Sequence, residues 1–282
     1  MRPNNELLRQ VIDAAIAAGR EIMAVYDDPA FDTQVAYKSD HSPVTIADRR
    51  AHDCIAAALA VPSTGSTDVF PLMSEEGSQA PYDERAATST YWLVDPLDGT
   101  KEFLKRNGEF TVNIALIDNG KPILGVVYVP ATRVIYFAGK GLGAFKGEID
   151  TEENFRDRPT RMPIAEAKRN RPYTVMTSRS HLSAETATYI EAVKAAHPDA
   201  VTIQSGSSLK ICLVAEGLAD EYPRLGPTME WDTAAAHAVL REANGDLVDH
   251  ENGETLKYNK ADLHNPWFIA RINDFPAKLM GF

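Results

Sequence analysis

The spacing of apolar residues changes twice along this chain, and these changes restrict the fold more than any other feature of the sequence. From about Asn5 to Tyr26, apolar residues recur every three or four positions, which predicts an amphipathic helix. Between Tyr91 and Ala138, short β-rich runs alternate with turns, as in a sheet built from hairpins. After Tyr173, strand-like and helix-like segments alternate again. The sequence therefore predicts stacked layers of helices and sheets in an α+β or mixed α/β fold.

Turn signals place the ends of several predicted strands. The apolar run Tyr91-Trp92-Leu93-Val94 predicts a buried strand that stops at Asp95-Pro96. Asn119-Gly120 predicts a tight hairpin turn, and Asn252-Gly253 predicts another near the carboxyl end. Three glycines between positions 139 and 143 predict a loop after the strand that ends at Ala138.

Length and charge limit what the chain can do. A chain of 282 residues can form one large domain or two modest lobes. Its net charge of −11 excludes a sequence-independent nucleic-acid binder, because an acidic surface repels polyanions. An anionic small molecule would need a local cation, for which bound metal is the simplest source. The longest apolar run, Cys54 to Val61, is far shorter than the ~20 residues that span a bilayer, so we expect no transmembrane segment.

The segment Asp95-Pro96-Leu97-Asp98-Gly99-Thr100 carries the strongest chemical signal. Two carboxylates flank a turn at a strand end, Gly99 allows close approach of a ligand to the backbone, and Thr100 opens a predicted helix over 101–106. Backbone N–H groups at a helix start favour a phosphate. Two acids beside a phosphate site indicate a divalent cation between them. The alternative is a solvated Asp-Pro and Asp-Gly turn, which is common in proteins.

Three further acidic positions have both a structural and a functional interpretation. Glu75-Glu76 follows a predicted strand end, where such pairs are usually solvated. Thr45 with Asp48 resembles a capping box that opens a helix reaching about Ala60, and Asp232 could cap the helix that it begins. Carboxylates from separate strand and helix ends are nevertheless the usual construction of a Mg²⁺ site with open positions.

These motifs together resemble the inositol monophosphatase superfamily of Mg²⁺-dependent, lithium-sensitive phosphatases over nearly the whole chain. The resemblance is carried by Asp95-Pro96-Leu97-Asp98-Gly99-Thr100, Glu75-Glu76, Trp231-Asp232 and Val44-Thr45-Ile46-Ala47-Asp48. Further sequence motifs resemble the 3′(2′),5′-bisphosphate nucleotidase branch, of the CysQ type. These motifs are Lys101-Glu102-Phe103, 106–113, Ser178-Arg179-Ser180-His181 and Gly206-Ser207-Ser208-Leu209-Lys210.

The resemblance implies a fold and a set of metal ligands. The fold would be a layered α-β-α-β-α sandwich, a single catalytic unit of residues 1–282 with a metal-site lobe over about 1–160 and a substrate-side lobe over about 161–282 that contributes Asp232. Two or three Mg²⁺ ions would be bound by the following residues: Glu75, Asp95, the carbonyl of Leu97, Asp98 and Asp232.

The resemblance also implies how the reaction proceeds. Asp48 and Thr100 would orient and help to deprotonate the attacking water, with Glu75 as a further catalytic group. The metal ions would bind the phosphate oxygens and lower the pKa of that water. The N–H groups of Gly99 and Thr100 would hold the phosphate. Substrate contacts are also implied for Glu75 and for Leu97, Asp98 and Asp232.

Residues for the rest of a nucleotide substrate are harder to identify from sequence. Lys210 opens a helix and could bind a second phosphate, or it could be a solvated lysine. His181 could contact the substrate, or it could cap the helix that begins at Ala184. Arg224 is a third basic candidate, identified only by its position on a probable strand near Asp232.

The expected function is removal of the 3′-phosphate of adenosine 3′,5′-bisphosphate, as by-product removal in sulfate assimilation. The first alternative is an inositol or sugar phosphatase with the same metals. Lys101-Glu102 argues against it, because inositol monophosphatases usually carry Thr-Asn at these positions. The second is a non-catalytic sensor of metal or nucleotide. We expect a cytoplasmic protein. A homodimer and peripheral association with the inner face of the membrane are left open.

Overall fold

The computed structural model describes residues 2–28, 35–37, 43–164, 171–179 and 183–273. Within these ranges the chain forms helices and strands in mixed order. The helices are α1 (Asn5–Tyr26), α2 (Ile46–Leu59), α3 (Tyr82–Arg85), α4 (Thr100–Leu104), α5 (Ala184–Ala196), α6 (Leu209–Glu216) and α7 (Glu230–Glu242). The strands are β1 (Val35–Tyr37), β2 (Pro43–Thr45), β3 (Leu72–Ser74), β4 (Thr90–Asp98), β5 (Thr111–Asp118), β6 (Lys121–Val129), β7 (Val134–Gly139), β8 (Gly143–Glu148), β9 (Thr160–Arg161), β10 (Thr174–Ser178), β11 (Val201–Ser205), β12 (Glu221–Arg224), β13 (Gly245–Asp249) and β14 (Phe268–Ile272).

Two large sheets divide the described residues into layers. The strands β3 to β9 lie in chain order in one sheet, and the other sheet has the order β11-β10-β12-β14-β13. Side chains on one face of β4 pack with α1 and α2, whereas those on its other face pack with α6, α7 and the second sheet. Helix α5 covers the second sheet from outside, through Ile190 and Val193 against Val175. The predicted α-β-α-β-α sandwich is confirmed.

A close approach between backbones fixes helix α7 on the larger sheet. Gly125 in β6 lies so near α7 that a β-carbon there would come within 2.2 Å of the carbonyl oxygen of Ala235. Only glycine fits at this position. The contact sets the height of α7 above the sheet, and Asp232 lies in the first turn of this helix.

Strand β4 continues past the point where we expected it to stop. It runs through Pro96 to Asp98, and its register with β5 shifts between Asp95 and Asp98. Proline is tolerated because a bulge leaves its residues outside the ladder of hydrogen bonds, so no N–H is required there. The prediction of a strand end at Asp95-Pro96 was therefore wrong, and the carboxylates of Asp95 and Asp98 flank a bulge.

Other predictions had mixed outcomes. Helix α1 has the predicted ends, and Asn119-Gly120 forms the hairpin turn with positive φ at both residues, 50° and 70°. The loop predicted from the three glycines is a short turn at 140–142. Its flanking glycines belong to strands, since Gly139 ends β7 and pairs with Gly143, which begins β8. Asn252-Gly253 turns the chain between a single bridged pair, Val248 and Thr255, rather than between two full strands. In the described part of the chain, no helix combines the length and apolar character needed to cross a membrane.

Candidate metal and phosphate site

Three carboxylates from separate elements meet at one end of the larger sheet. Strand β3 pairs in parallel with β4, Ser74 opposite Val94, so the residues that follow them, Glu75 and Asp95, emerge side by side. The first turn of α7 brings Asp232 to the same place. One carboxylate oxygen of each residue lies within 4.8 Å of those of the other two. The structure therefore brings these predicted ligands together.

The electrostatics of this carboxylate cluster call for a counter-charge. Asp95 is only 1% exposed. Burial raises its pKa well above the usual value, and repulsion from Glu75 and Asp98 raises it further. Burial likewise raises the pKa of Asp232, with Asp98 as the next cause. Buried like charges must take up protons or bind a cation. An all-oxygen donor set suits a hard cation such as Mg²⁺, Ca²⁺ or Mn²⁺, so these residues fit the metal that the resemblance implies.

The backbone fixes the orientation of two carboxylates in the cluster. Oδ1 of Asp95 accepts a hydrogen bond from the N–H of Leu97 at 3.1 Å. Oδ2 of Asp232 accepts one from the N–H of Met229 at 2.9 Å, which completes a capping arrangement at the start of α7. In each residue one oxygen is held and the other can turn to a ligand. The capping and the metal-binding interpretations of Asp232 are therefore compatible.

Asp98 is held by Ser208, for which the motifs predicted no role. Oδ2 of Asp98 accepts hydrogen bonds from the N–H of Ser208 at 2.6 Å and from its hydroxyl at 2.7 Å. The Ser208 hydroxyl also lies 2.7 Å from the carbonyl oxygen of Asp232 and from the amide nitrogen of Asn113. Ser208 thus connects two predicted ligands from different elements. The only sequence signal was its place in the turn before α6.

Asp48 and Thr100 face one another beside the cluster. The hydroxyl of Thr100 lies 3.4 Å from Oδ1 of Asp48. Oδ2 of Asp48 accepts hydrogen bonds from the N–H and hydroxyl of Thr45, both at 2.7 Å, so the predicted capping box is present. Burial raises the pKa of Asp48 to about 6, and repulsion from Glu76 and Glu75 contributes. One oxygen therefore caps α2, while the other points to Thr100.

Between Asp98 and Thr100 the chain lines the cavity through a glycine whose backbone conformation and close neighbours disfavour a side chain. Gly99 has a φ of 87°, a conformation that side chains rarely adopt. A β-carbon at Gly99 would lie 3.3 Å from both the carbonyl oxygen of Glu109 and Cβ of Ser207. The Thr100 hydroxyl also lies 3.5 Å from the carbonyl oxygen of Leu97, which places that carbonyl at the site.

A cavity of about 240 Å³ joins the acidic cluster to a basic wall. Glu75, Asp98, Gly99, Thr100, Asp232, Lys210 and Arg224 are among the residues that line it. Lys210 is 5% exposed, so it is not a solvated lysine. Its ammonium group donates to the carbonyl oxygen of Ser207 at 2.6 Å and lies 5.2 Å from the centre of the Tyr222 ring.

Arg224 lies beside Lys210 on this wall. Its guanidinium donates to the carbonyl oxygen of Pro227 at 2.9 Å. Burial lowers the pKa of Lys210 to about 8; among the charges that act on it, Asp98 raises the value and Arg224 lowers it. Two neighbouring cations that repel one another favour an anion. His181 lies outside the described residues.

Comparisons with known proteins show similarity over nearly the whole chain. The profile described as "Inositol monophosphatase family" matches residues 4–271. The 3′(2′),5′-bisphosphate nucleotidase CysQ of Salmonella typhimurium is 46% identical over 267 residues, which cover 94% of this chain and 100% of that protein. The protein of the same name from Buchnera aphidicola is 41% identical, over 90% of this chain and 88% of that protein.

A solved structure extends the similarity to three dimensions. The crystal structure of CysQ from Bacteroides thetaiotaomicron, described as a bacterial member of the inositol monophosphatase family, superposes with a TM-score of 0.82 at 47% identity. The match covers 95% of this chain and 97% of that one.

Proposed function

Because the chain belongs to the inositol monophosphatase family, whose members are metal-dependent phosphatases, we propose that it removes the 3′-phosphate of adenosine 3′,5′-bisphosphate to give AMP and phosphate. One observation carries this proposal: a single cavity has a cluster of carboxylates at one side and a pair of buried or half-buried cations at another. The first suits a cation-bound phosphate that reacts, and the second suits a phosphate that does not. The names of the relatives support the same substrate.

The cofactor that we propose is Mg²⁺, in two or three ions. Side-chain oxygens of Glu75, Asp95, Asp98 and Asp232 and the carbonyl of Leu97 would hold them. The closeness of three of these carboxylates and the raised pKa of Asp95 support this assignment. When bound, Mg²⁺ neutralises phosphate oxygens and lowers the pKa of a coordinated water.

The chain's own residues would position the nucleophile and the phosphate. Thr100 can hold the attacking water through its hydroxyl, and Asp48, 3.4 Å behind it, can accept the proton. A carboxylate with a pKa of about 6 is mostly ionised at neutral pH and is still basic enough to act as a general base. Gly99 and Thr100 line the same cavity at the start of α4, and their N–H groups would donate to the phosphate. Glu75 contributes as a further catalytic group beside Thr100.

The basic wall would recognise the second phosphate. Lys210 and Arg224 line the cavity on the side of the smaller sheet, where charge-assisted hydrogen bonds to a phosphate are strong. Tyr222 fixes the position of the lysine from behind. We propose His181 as an additional contact on the basis of its motif.

Further parts of the proposal concern organisation and context. We propose a metal-site lobe over about 1–160 and a substrate-side lobe over about 161–282, since the two large sheets divide near this point. The reaction would clear a by-product of sulfate assimilation. The homodimer, the cytoplasmic location and peripheral association with the membrane stay predictions.

Phosphate release from three substrates tests the proposal. Adenosine 3′,5′-bisphosphate, inositol 1-phosphate and fructose 1,6-bisphosphate are compared with Mg²⁺, with added Li⁺ and with EDTA. We expect a strong preference for the nucleotide and loss of activity in EDTA. Preference for inositol or sugar phosphate would overturn the substrate but retain the metal site. No turnover of any substrate would favour a sensor.

A further inference from the structure

A buried carboxylate that the reaction does not use lies two residues before Asp232. Glu230 is the first residue of α7 and is 0% exposed. It is separate from the acidic cluster, since its oxygens are turned towards the loop at 259–260. Oε2 accepts a hydrogen bond from the N–H of Asn259 at 2.7 Å. Oε1 accepts one from the N–H of Lys260 at 3.0 Å and one from the Lys260 ammonium group at 2.5 Å.

The loop that Glu230 holds is fixed in turn to the region between β3 and β4. The side-chain amide of Asn259 donates to the carbonyl oxygen of Arg85 at 2.9 Å. The Arg85 guanidinium donates back to Oδ1 of Asn259 at 2.9 Å and to the carbonyl oxygen of Ala261 at 2.8 Å. Arg85 itself is buried, at 8% exposure.

These contacts form a polar strut, consisting of Arg85, Asn259, Lys260 and Glu230, between the β3–β4 connection and the start of α7. Arg85 ends helix α3, which connects the strand before Glu75 to the strand that holds Asp95. Glu230 begins the helix that holds Asp232. The three clustered carboxylates repel one another, so the first turn of α7 needs a fixed attachment to β3 and β4 to stay close. The strut provides that attachment, and its four residues are not among those that line the cavity.

We propose that Glu230 is a positioning residue, which through the strut fixes Asp232 at the distance from Glu75 and Asp95 at which the three can share a cation. The proposal rests on the metal site proposed above. It goes beyond it because Glu230 would set the affinity for the cation without touching it. Groups that orient metal ligands from behind commonly change metal affinity by about 10- to 100-fold when replaced.

The chain offers a matched control for a purely structural effect. Glu216 is also a buried carboxylate bonded to a lysine, with Lys146 at 2.6 Å and the Tyr136 hydroxyl at 2.9 Å. The exposure of the two pairs is similar, 6% and 27% for Glu216 and Lys146 against 0% and 31% for Glu230 and Lys260. Glu216 ends α6, and its side-chain partners lie on β7 and β8, two strands that carry no predicted metal ligand. Glu216→Gln should therefore destabilise the protein and leave cation binding unchanged.

Calorimetric titration of the cation-free protein with Mg²⁺, and with Mn²⁺ as a second probe, tests the proposal without any substrate. For Glu230→Gln we expect Mg²⁺ affinity to fall by roughly tenfold. The Mg²⁺ concentration for half-maximal activity should rise by the same factor, with kcat at saturating Mg²⁺ within twofold of the parent. Thermal unfolding of both variants measures the structural cost separately.

The outcomes separate this inference from the proposed function. Equal Mg²⁺ affinity for Glu230→Gln, Glu216→Gln and the parent would overturn the positioning role. If Glu230→Gln does not fold, Asn259→Gly replaces it, because this change removes the side-chain link to Arg85 and leaves the two backbone donors to Glu230 in place. Unchanged affinity in Asn259→Gly would then contradict the proposal. A parent protein that does not bind Mg²⁺ would contradict the metal site itself.

Discussion

The two sides of the cavity are built from different sheets and carry opposite charge. The acidic side comes mainly from the end of the larger sheet, where Asp95 and its neighbours lie within hydrogen-bonding reach of fixed backbone groups. The basic side comes from α6 and the smaller sheet, where Lys210 rests on Tyr222 and lies near Arg224. Burial acts on both sides, but it raises the pKa of the acids and lowers that of the lysine.

The opposite charges of the two sides of the cavity predict separate roles for them. A buried cluster of acids is stable when a cation is bound, which suits it to the metal and to the reacting phosphate that we propose for it. Lys210 is buried, and within the described part of the chain its ammonium group has a carbonyl oxygen rather than a carboxylate as its hydrogen-bond acceptor, so it is suited to an incoming anion. Chemistry should therefore depend on the acidic side, and substrate choice on the basic side. The variants below test this separation, from the largest expected effect to the smallest.

Replacement of Asp95 by Asn should have the largest effect. Loss of a buried ligand should lower kcat/KM by on the order of 10³-fold. The folded state raises the pKa of Asp95, so an ionised carboxylate there costs stability at pH values above its ordinary pKa. The cation-free variant should consequently melt at a higher temperature than the parent at neutral pH. Phosphate release and thermal unfolding check the two effects, with Asp118→Asn at the far end of β5 as a control that should leave phosphate release unchanged.

Replacement of Lys210 by Met should affect substrate choice rather than chemistry. A charge-assisted hydrogen bond contributes about 1.5–3 kcal/mol, so KM for adenosine 3′,5′-bisphosphate should rise by roughly 10- to 100-fold. Turnover at saturation should change little, and KM for adenosine 3′-monophosphate should stay within about threefold. Steady-state kinetics with both nucleotides measure this. A variant in which kcat falls and KM is constant would remove the proposed separation of roles.

The same lysine predicts a pH dependence. Because burial lowers its pKa to about 8, Lys210 is charged below that pH and loses its charge as the pH rises through it. Between pH 7 and pH 9, KM for the bisphosphate should rise by up to about tenfold, whereas KM for the monophosphate should not follow. Lys210→Met should abolish this difference in pH profile. A difference that persists in the variant would assign the titration to another group.

The smallest effect is expected at Glu221, a buried carboxylate of the smaller sheet. Burial raises its pKa to about 7, although the Tyr189 hydroxyl donates to it at 3.0 Å. Its folded pKa lies above its unfolded value, so stability falls as the pH rises from about 4.5 to 7. Above pH 7, Glu221→Gln should raise the melting temperature by about 2–4 °C for each kcal/mol that it restores to the free energy of unfolding. At pH 4 it should not raise the melting temperature. Activity should be unchanged, in contrast to changes on the acidic side.

Much of the fold could be predicted because the responsible signals are local. The ends of α1, the hairpin at Asn119-Gly120 and the capping box at Thr45 follow from periodicity and turn chemistry within a few residues. The continuation of β4 past Pro96 could not be predicted, because a bulge depends on the neighbouring strand. The order of the layers could be predicted only from the family resemblance.

The site shows the same limit. Motifs identified the acidic residues. The short distances between their carboxylates depend on the register of β3 and β4 and on the position of α7 against Gly125. The contacts of Ser208 and Glu230 could not be predicted because their partners are far away in sequence, at Asp98 and at 259–260. Burial of Lys210 likewise depends on Tyr222 and could not be read from its own segment.

The identity of the nucleotide product tests the arrangement of the cavity most directly. Adenosine 3′,5′-bisphosphate is incubated with the protein and Mg²⁺, and the reaction is stopped before all of the substrate is consumed. The nucleoside monophosphate that has formed is identified by phosphorus NMR. With the 3′-phosphate at the acidic cluster and the 5′-phosphate at Lys210 and Arg224, the product must be adenosine 5′-monophosphate. Adenosine 3′-monophosphate as the product would contradict the account, since the acidic side would then act on the phosphate assigned to the basic wall.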